Sequence, residues 1–595
     1  MTFLFKSLIT ILPKADMVRL VKLSLMLAII AFMEVFGLAL ISFLLVNLDN
    51  LTEAIQQLPY IDSFTAFFQI PQGSIINIFC ICLTLYSIAT LCLSILIIRS
   101  VNFSGQLIGS RLRLNIIEYY LNSNWVDFYN SHASELTAKI LNDGRQIGFL
   151  ISFCLHLFSR FFLTFLIIAF LLVYNPILTM VLVMVLSSVY LLIIVGLQSA
   201  IQKHGVNTAK MMDGSLKILS NTFNSIKEII FYDAQDKFIS DYRKTDGNLV
   251  YSEASNQSLS QIPRFIIDAF ILIALVISIY FFSRTSFDNQ TFFAAISVYG
   301  VASLKLLPSF QNMYYFYHEI LARQFQLKNI TSIFKKIKNQ SDLKDSNNLI
   351  IKESIKLQDV SFSFHDKKNI LEKINLKLHF GQNIAIVGPS GSGKSTLLDV
   401  ILGFLTPEKG KIFIDEVELS DFNISNIKQN FSYIPQKVKL IEGTLRENIL
   451  FGALHKDSSV SEKRLQEVIH LSCLNEVINQ LPSGLDTVIS DSNQFVSGGQ
   501  KQCIGFARAF FKGGNILILD ESTNAMDRGL EEEIFKNIPL AGFKMIIGIT
   551  HKAGILNYFD EVCILNEGNV EALGPFSELS RENRYLLEMI QQDIN

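Results

Sequence analysis

Two unlike halves are predicted for this chain of 595 residues: a helical membrane domain of six spans, then an α/β domain built around a phosphate-binding loop. Three observations predict them. Half the residues are hydrophobic and only 17% are charged, whereas a soluble chain carries about a quarter charged residues. The apolar excess lies almost wholly before residue 320. After it comes "IAIVGPSGSGKSTLLDVILGF", a glycine-rich turn between an apolar strand and a helix. The length exceeds one ordinary domain. A net charge of −2 argues against nucleic acid as the main partner. The seven cysteines show neither metal spacing nor a disulfide framework, which fits a reducing compartment for the soluble part.

The membrane half comes first. Six stretches reach the roughly 20 apolar residues that a bilayer crossing needs: 20–47, 74–98, 148–173, 176–198, 264–283 and 290–317. No small-residue cleavage site follows the first, so it reads as a retained span. The third and fourth are separated only by "YNP", which predicts a tight hairpin. The 48–73 connection has Asp49, Glu53 and Asp62 but no lysine or arginine, whereas 199–263 carries Lys203, Lys210, Lys217, Lys227, Lys237, Arg243 and Lys244. The positive-inside rule then places 99–147, 199–263 and both termini in the cytoplasm. "SELTAKILNDGRQIGFL" and "SIKEIIFYDAQDKFISDY" within these connections are amphipathic. They read either as helical extensions of the spans or as turns that dock on the cytosolic domain.

In the second half, Ile384 to Val387 form an apolar strand that runs into the glycine turn and a helix, the context a phosphate loop requires. Gly388, Gly391 and Gly393 let backbone N–H groups curl around phosphate oxygens. Lys394 suits the β and γ phosphates, and Ser395 offers a hydroxyl to Mg²⁺. A second apolar strand, "ILILDE", ends in Asp520 and Glu521. Asp520 is placed to hold Mg²⁺, leaving Glu521 to polarise a water. "VSGGQKQ", Val496 to Gln502, has the form of a helix N-terminus that presents donors to an anion.

In chain order, the phosphate loop, "YIPQ", "SGGQ", "ILILDE", "STNAMD" and "GITH" resemble the motifs of ATP-binding cassette (ABC) ATPases over about 350–590. With six spans in front, the whole chain resembles a half-size ABC exporter. The resemblance implies an α-helical six-span transmembrane domain at 1–325, a linker at 326–349 and an α/β P-loop ATPase domain at 350–595. ATP and Mg²⁺ are the implied cofactors. ATP would lie on Gly388, Pro389, Ser390, Gly391, Ser392, Gly393, Lys394, Ser395 and Thr396, with Phe364 stacking on adenine. Ser395, Gln436 and Asp520 would serve the metal; Glu521, His551 and Gln436 would be catalytic. Ser497, Gly498, Gly499, Gln500 and Asp527 would close over ATP held by a second subunit, which implies a homodimer. Four departures stand out: Val496 for leucine, Cys503 for arginine, "NAMD" for "SALD", and "VISDSNQF" without glycines, although Asp491 falls near the family's acidic contact. The Cys503 change is expected to remove a surface charge contact.

Charges inside the spans carry the cargo question. Arg264 and Lys305 fall within about 8 Å of one depth by helical rise, with Asp268, Arg160 and Glu34 also inside spans. Each costs at least ~2.5 kcal/mol at the bilayer centre. They read either as internal pairs, Arg264 with Asp268 and Glu34 with a basic neighbour, or as a cationic patch for an anionic headgroup. "QIPRFIIDAF", "SLKLLPSFQN" and "FMEVF" resemble bacterial lipid-linked oligosaccharide flippases, in which a helical segment lies on the outer face between the first two spans. "LTEAIQQLPYIDSFTAFF", with Leu51, Ile55 and Leu58 on one face, matches that segment. The second span departs from that pattern, with only Thr90 in its core and Arg99 at its end. The expectation is a bacterial inner-membrane homodimer that flips a polyprenyl-diphosphate-linked saccharide to the outer leaflet, with Arg264 and Lys305 in the substrate cavity and membrane lipids around it. The alternatives are a general lipid or drug exporter, which the 48 phenylalanines allow, and a non-transporting channel or regulator, which Glu521 and His551 oppose. A peptide exporter with its own processing protease is not expected, because fewer than 20 residues precede the first span.

Overall fold

The computed structural model describes residues 2–47, 51, 55, 75–122, 133–282, 289–340, 350–364, 369–419, 427–451, 462–491 and 495–594. They fall into two compact units, one of residues 1–123 and 127–341, the other of 124–126 and 342–595.

The first unit is helical: α1 (Thr2–Ile11), α2 (Lys14–Val46), α3 (Ile75–Asn122), α4 (Gly144–Tyr174), α5 (Pro176–Asn224), α6 (Gln235–Phe282), α7 (Asn289–Ala322) and α8 (Gln324–Gln340). Among the described residues, four helices are long and apolar enough to cross a membrane: Lys14–Val46, Ile75–Asn122, Glu135–Tyr174 and Pro176–Asn224. They hold the first four expected spans. The fifth and sixth fall in α6 and α7. The "YNP" turn is tight: Asn175 caps α5, its side chain accepting from the Leu178 N–H, and Pro176 takes the first helical position, where a missing N–H does no harm. The outer-face segment read at 51–68 lies outside the described residues apart from Leu51 and Ile55.

The helices overrun the bilayer. α5 has 49 residues, about 74 Å of rise against roughly 30 Å of hydrocarbon. Residues 99–122, 199–224 and 235–263 therefore continue the spans as helix. At the far tip a short helix, Ile226–Phe231, and Asp233 at φ +50° turn the chain back, leaving Phe223, Phe231 and Tyr232 exposed. One expectation needs correction: 326–340, read as linker, is most of α8. Its Leu327, Ile330, Ile333 and Phe334 are buried in one cluster with Ile11, the last residue of α1, and Leu12 just after it. The lysines between them hid this helical stripe.

Close approach of α3 and α4 rests on glycine. A Cβ on Gly105 would stand 2.7 Å from the Gly148 carbonyl oxygen, and one on Gly109 would stand 3.0 Å from Gly148 Cα. Small residues of this kind let membrane helices pack backbone to backbone. Among the described residues, two of the cations within the spans have carboxylate partners. Lys305 Nζ of α7 donates to Glu34 Oε2 of α2 at 3.0 Å, and Arg264 lies 3.8 Å from Asp268 one turn on.

The second unit holds two larger sheets. Its strands are β1 (Ser354–Phe362), β2 (Leu371–His379), β3 (Ile384–Val387), β4 (Lys409–Ile414), β5 (Val417–Glu418), β6 (Phe431–Ile434), β7 (Gly443–Thr444), β8 (Val488–Ile489), β9 (Ile516–Asp520), β10 (Met545–Ile549), β11 (Glu561–Asn566) and β12 (Asn569–Gly574). One sheet, β2-β1-β4-β5, is antiparallel. The other runs β12-β11-β3-β10-β9-β6 and is parallel except for β12. β3, β9 and β10 read as unbroken apolar runs because both faces are covered.

Replacing Gly105 by alanine should lower the thermal unfolding midpoint of the detergent-solubilised protein by several degrees, an overpacking cost of roughly 1–3 kcal/mol. Gly196→Ala, where a Cβ meets nothing within 4 Å, should leave it unchanged. Equal midpoints in the two variants would show that the glycine contact does not hold α3 to α4.

Candidate active site

The carboxyl ends of β3, β9, β10 and β6 open on one edge of the parallel sheet, where ligands of such sheets bind. β3 leads into the phosphate loop and then α9 (Lys394–Ile401). The loop has a turn that only glycine tolerates well: Gly388 at φ +155°, Gly391 at +83° and Gly393 at +100°. A Cβ on Gly388 would come within 2.1 Å of the Leu565 carbonyl oxygen, and one on Gly393 within 2.9 Å of the Ile370 carbonyl oxygen. Lys394 is buried, and its Nζ donates to the Gly388 and Pro389 carbonyls at 2.8 and 3.0 Å. Burial lowers its pKa, while Glu521 and Asp520 pull it back up. The Ser392 hydroxyl is buried with no hydrogen-bond partner among the described residues. That orphaned donor, together with the open glycine turn, fits an anion. Ser390 and Ser395 are exposed and Thr396 is half-buried in the first turn of α9.

At the end of β9, Asp520 accepts from the Tyr433 hydroxyl at 3.3 Å and has the Ser395 hydroxyl and Lys394 beside it. Burial raises its pKa; the Tyr433 and Ser395 hydrogen bonds oppose that shift and the Glu521 charge adds to it. A carboxylate and a hydroxyl so placed fit Mg²⁺, whose charge would hold Asp520 ionised. Glu521 follows at φ +48°, a left-handed conformation that is strained for a non-glycine residue. Its N–H donates to the Ile549 carbonyl. Three side chains meet its carboxylate: Gln436 Nε2 donates to Oε2 at 2.7 Å, Asn524 Nδ2 donates to Oε2 at 3.1 Å, and His551 Nε2 lies 3.0 Å from Oε1. The predicted catalytic residues Gln436, Glu521 and His551 are thus joined in one hydrogen-bonded group. It can orient a water and take its proton.

Phe364 follows β1 and meets Phe362 edge-on, with ring centroids 4.9 Å apart. Ser497 caps α10 (Gly498–Lys512) in a reciprocal box, its N–H donating to Gln500 Oε1 at 2.8 Å and its hydroxyl accepting the Gln500 N–H at 3.3 Å. Asp527 caps α11 (Arg528–Asn537), accepting the Leu530 N–H at 2.9 Å. Ser497, Gly499, Gln500 and Asp527 line a cavity of about 560 Å³ to which the phosphate loop contributes nothing. The phosphate loop and this cavity are thus separate places on the one chain. Cys503 corrects an expectation: it is 1% exposed in the core rather than at the surface, and burial pushes its thiol up to about 12. Asp491 accepts the Leu440 N–H at 3.2 Å and pairs with Lys501 at 3.2 Å.

Sequence reasoning missed three groups. Asn524 and Tyr433 each lie three residues from a residue it named, one in a turn and one on a strand. Tyr585, in α12 (Arg584–Ile594), had no sequence signal at all. Its hydroxyl donates to the Gly388 carbonyl at 2.8 Å across 197 residues of chain, on the oxygen that Lys394 also reaches.

Tyr585→Phe should weaken ATP binding about five-fold, near the roughly 1 kcal/mol of one net hydrogen bond, in a nucleotide titration of the full chain. Unchanged affinity would make that bond incidental. Asp399 in α9 is pushed up to about 6 by burial and by Asp520. A carboxyl with a raised folded-state pKa binds its proton more tightly when folded, so stability falls as pH climbs from about 4 through 6. Asp399→Asn should flatten that slope and raise the nucleotide-free unfolding midpoint at pH 7.5. An unaltered slope would show that Asp399 is not its source.

Comparison with known proteins agrees with this geometry. Residues 371–524 match the ABC transporter family and 56–303 the ABC transporter transmembrane region. The uncharacterized ABC transporter ATP-binding protein YwjA of Bacillus subtilis is 35% identical over 244 residues, 41% of each chain, so the match spans less than half of that relative. A putative export ATP-binding/permease protein of Rickettsia bellii is 27% identical over 525 residues, 83% of this chain and 87% of that one. The solved structure of a bacterial Atm1-family ABC exporter with ATP bound superposes with a TM-score of 0.75 at 19% identity, covering 94% of this chain and 98% of the other, a likeness of fold. The chain thus belongs to the ABC transporters, with an ABC transmembrane region fused to an ABC transporter ATPase domain in half-size architecture.

Proposed function

We propose that two copies of this chain, in a bacterial inner membrane with the ATPase domains cytoplasmic, use ATP to carry a lipid-linked anionic substrate from the inner to the outer leaflet. A polyprenyl-diphosphate-linked oligosaccharide is the favoured cargo. The observation that carries the ATP-driven part is the Glu521 carboxylate, held at once by Gln436, Asn524 and His551 next to the phosphate loop. In this reading Glu521 takes the proton of the attacking water, Gln436 fixes the carboxylate, and His551 meets the γ-phosphate. Lys394 exchanges its carbonyl partners for phosphate oxygens. Ser395, Gln436 and Asp520 would hold Mg²⁺, which supplies charge neutralisation on the phosphates when bound. Ser497 to Gln500 and Asp527 face the partner's nucleotide, so ATP joins the subunits and hydrolysis frees them. Both halves are present in one chain, so each site of a homodimer is complete, which disfavours a non-transporting regulator.

For the cargo, Lys305 and Arg264 remain the candidate phosphate contacts. They are 52% and 67% exposed within their ion pairs, so a diphosphate would exchange with the Glu34 and Asp268 carboxylates. The Lys305–Glu34 contact at 3.0 Å favours a second reading, a general lipid or drug exporter, because a neutralised cation suits an apolar cargo.

The test is ATP-dependent flipping of a fluorescent polyprenyl-diphosphate oligosaccharide in proteoliposomes. Glu521→Gln should lower hydrolysis and flipping by a factor on the order of 10² or more. The pair Arg264→Ala/Lys305→Ala should slow the diphosphate lipid more than a neutral lipid. Wild-type protein that hydrolyses ATP but moves no such lipid would remove this cargo and leave the general exporter.

A further inference from the structure

A second cavity, of about 450 Å³, lies within the helical unit among α4, α5, α6, α7 and α8. Its lining combines apolar wall with many polar side chains. Five amides line it: Gln146, Asn256, Gln257, Gln261 and Gln326. It sits just beyond the apolar stretches, since Gly205 follows the end of the fourth expected span by seven residues and Gln261 precedes the fifth by three. That is the depth at which a headgroup leaves hydrocarbon.

Several lining groups are buried with unused hydrogen-bonding capacity. His318 is 1% exposed; its Nδ1 faces Glu319 Oε1 at 3.4 Å, and its Nε2 has no hydrogen-bond partner among the described residues. Asn256 Oδ1, Gln326 Oε1 and Thr208 Oγ1 are likewise buried and unpartnered among the described residues. Buried polar groups in native proteins are almost always satisfied, so four in one wall point to a partner that brings its own donors. Charge narrows its chemistry. Arg323 pairs with Glu319 and donates to Gln146 Oε1 at 2.8 Å, which leaves Glu253 as an excess carboxylate in the lining. An anion is disfavoured; a neutral ligand rich in hydroxyl and amide donors is favoured. The half-exposed ring of Tyr315 supplies a flat apolar wall, and the volume falls in the range of small-ligand pockets.

We propose that this cavity binds an uncharged saccharide, the sugar portion of the cargo, with Asn256, Gln257, Gln261, His318 and Gln326 as its hydrogen-bonding wall. This rests on the export reading above. On α7, His318 lies 13 residues beyond Lys305, about 20 Å along the helix, so a diphosphate at Lys305 and a sugar in the cavity belong to one extended headgroup.

Saturation-transfer NMR on the full chain in nanodiscs tests it, with N,N′-diacetylchitobiose as the probe. Gln257 and Gln261 are exposed, so Gln257→Leu/Gln261→Leu should fold, checked by its elution and unfolding midpoint. Wild type should transfer saturation to the disaccharide, and the double variant at least five-fold less. N-acetylglucosamine 1-phosphate should bind more weakly than the neutral sugar. Undecaprenyl diphosphate bearing the disaccharide should displace the probe, and the bare lipid should not. No transfer in wild type, equal transfer in the variant, or displacement by the bare lipid overturns the proposal. Saccharide binding without ATP-dependent flipping of the lipid keeps the cavity and removes the lipid-linked cargo. Flipping without saccharide binding removes the cavity's role alone.

Discussion

The parallel register of β6, β9 and β10 is the constraint on which the catalytic group depends. Pairing of Asp520 with Ile549, and of Ile434 with Leu519, brings the residues just past three strand ends to one level. Gln436, Glu521 and His551 occupy those positions. The left-handed turn at Glu521 then swings its carboxylate into the group instead of continuing the strand. A residue in that conformation survives because its surroundings fix it: a backbone bond to Ile549 and three side-chain partners. A one-residue slip of β9 would turn the carboxylate to the opposite face.

The membrane half obeys a different constraint, the cost of charge away from water. Lys305 and Arg264 do not stand alone; each has a carboxylate within 4 Å. The cavity further along α6 and α7 repeats the principle with neutral groups, where amides, a hydroxyl and an imidazole remain short of partners. On the reading proposed above, the two places would divide a headgroup between them, one suited to an anion by exchange and one to a neutral donor.

Legibility in the sequence followed the distance between the groups concerned. The phosphate loop, "ILILDE" and "SGGQ" are contiguous, so each carried its strand, turn and helix signals with it, and the sheet edge they share followed from them. Tyr585 reaches Gly388 across 197 residues, and no local pattern marks it. Helix α8 was hidden because lysines interrupt its apolar stripe, although Leu327, Ile330, Ile333 and Phe334 keep helical spacing. The long connections left two readings open because an amphipathic stretch looks the same whether it extends a span or docks. Cys503 misled for a physical reason: a residue compared with arginine suggests a surface, but here a small thiol sits on the buried face of α10 and packs in the core.

The Lys394 ammonium has a further consequence. With both hydrogen bonds made to its own loop, the loop is a closed mould whose shape does not wait for a ligand. Nucleotide arrival is then a swap of partners and not an ordering event, so little conformational entropy is lost on entry. On the proposed reading, affinity would be a difference between two sets of hydrogen bonds. Such a site can release its product as readily as it takes its fuel, which is what a cyclic machine requires.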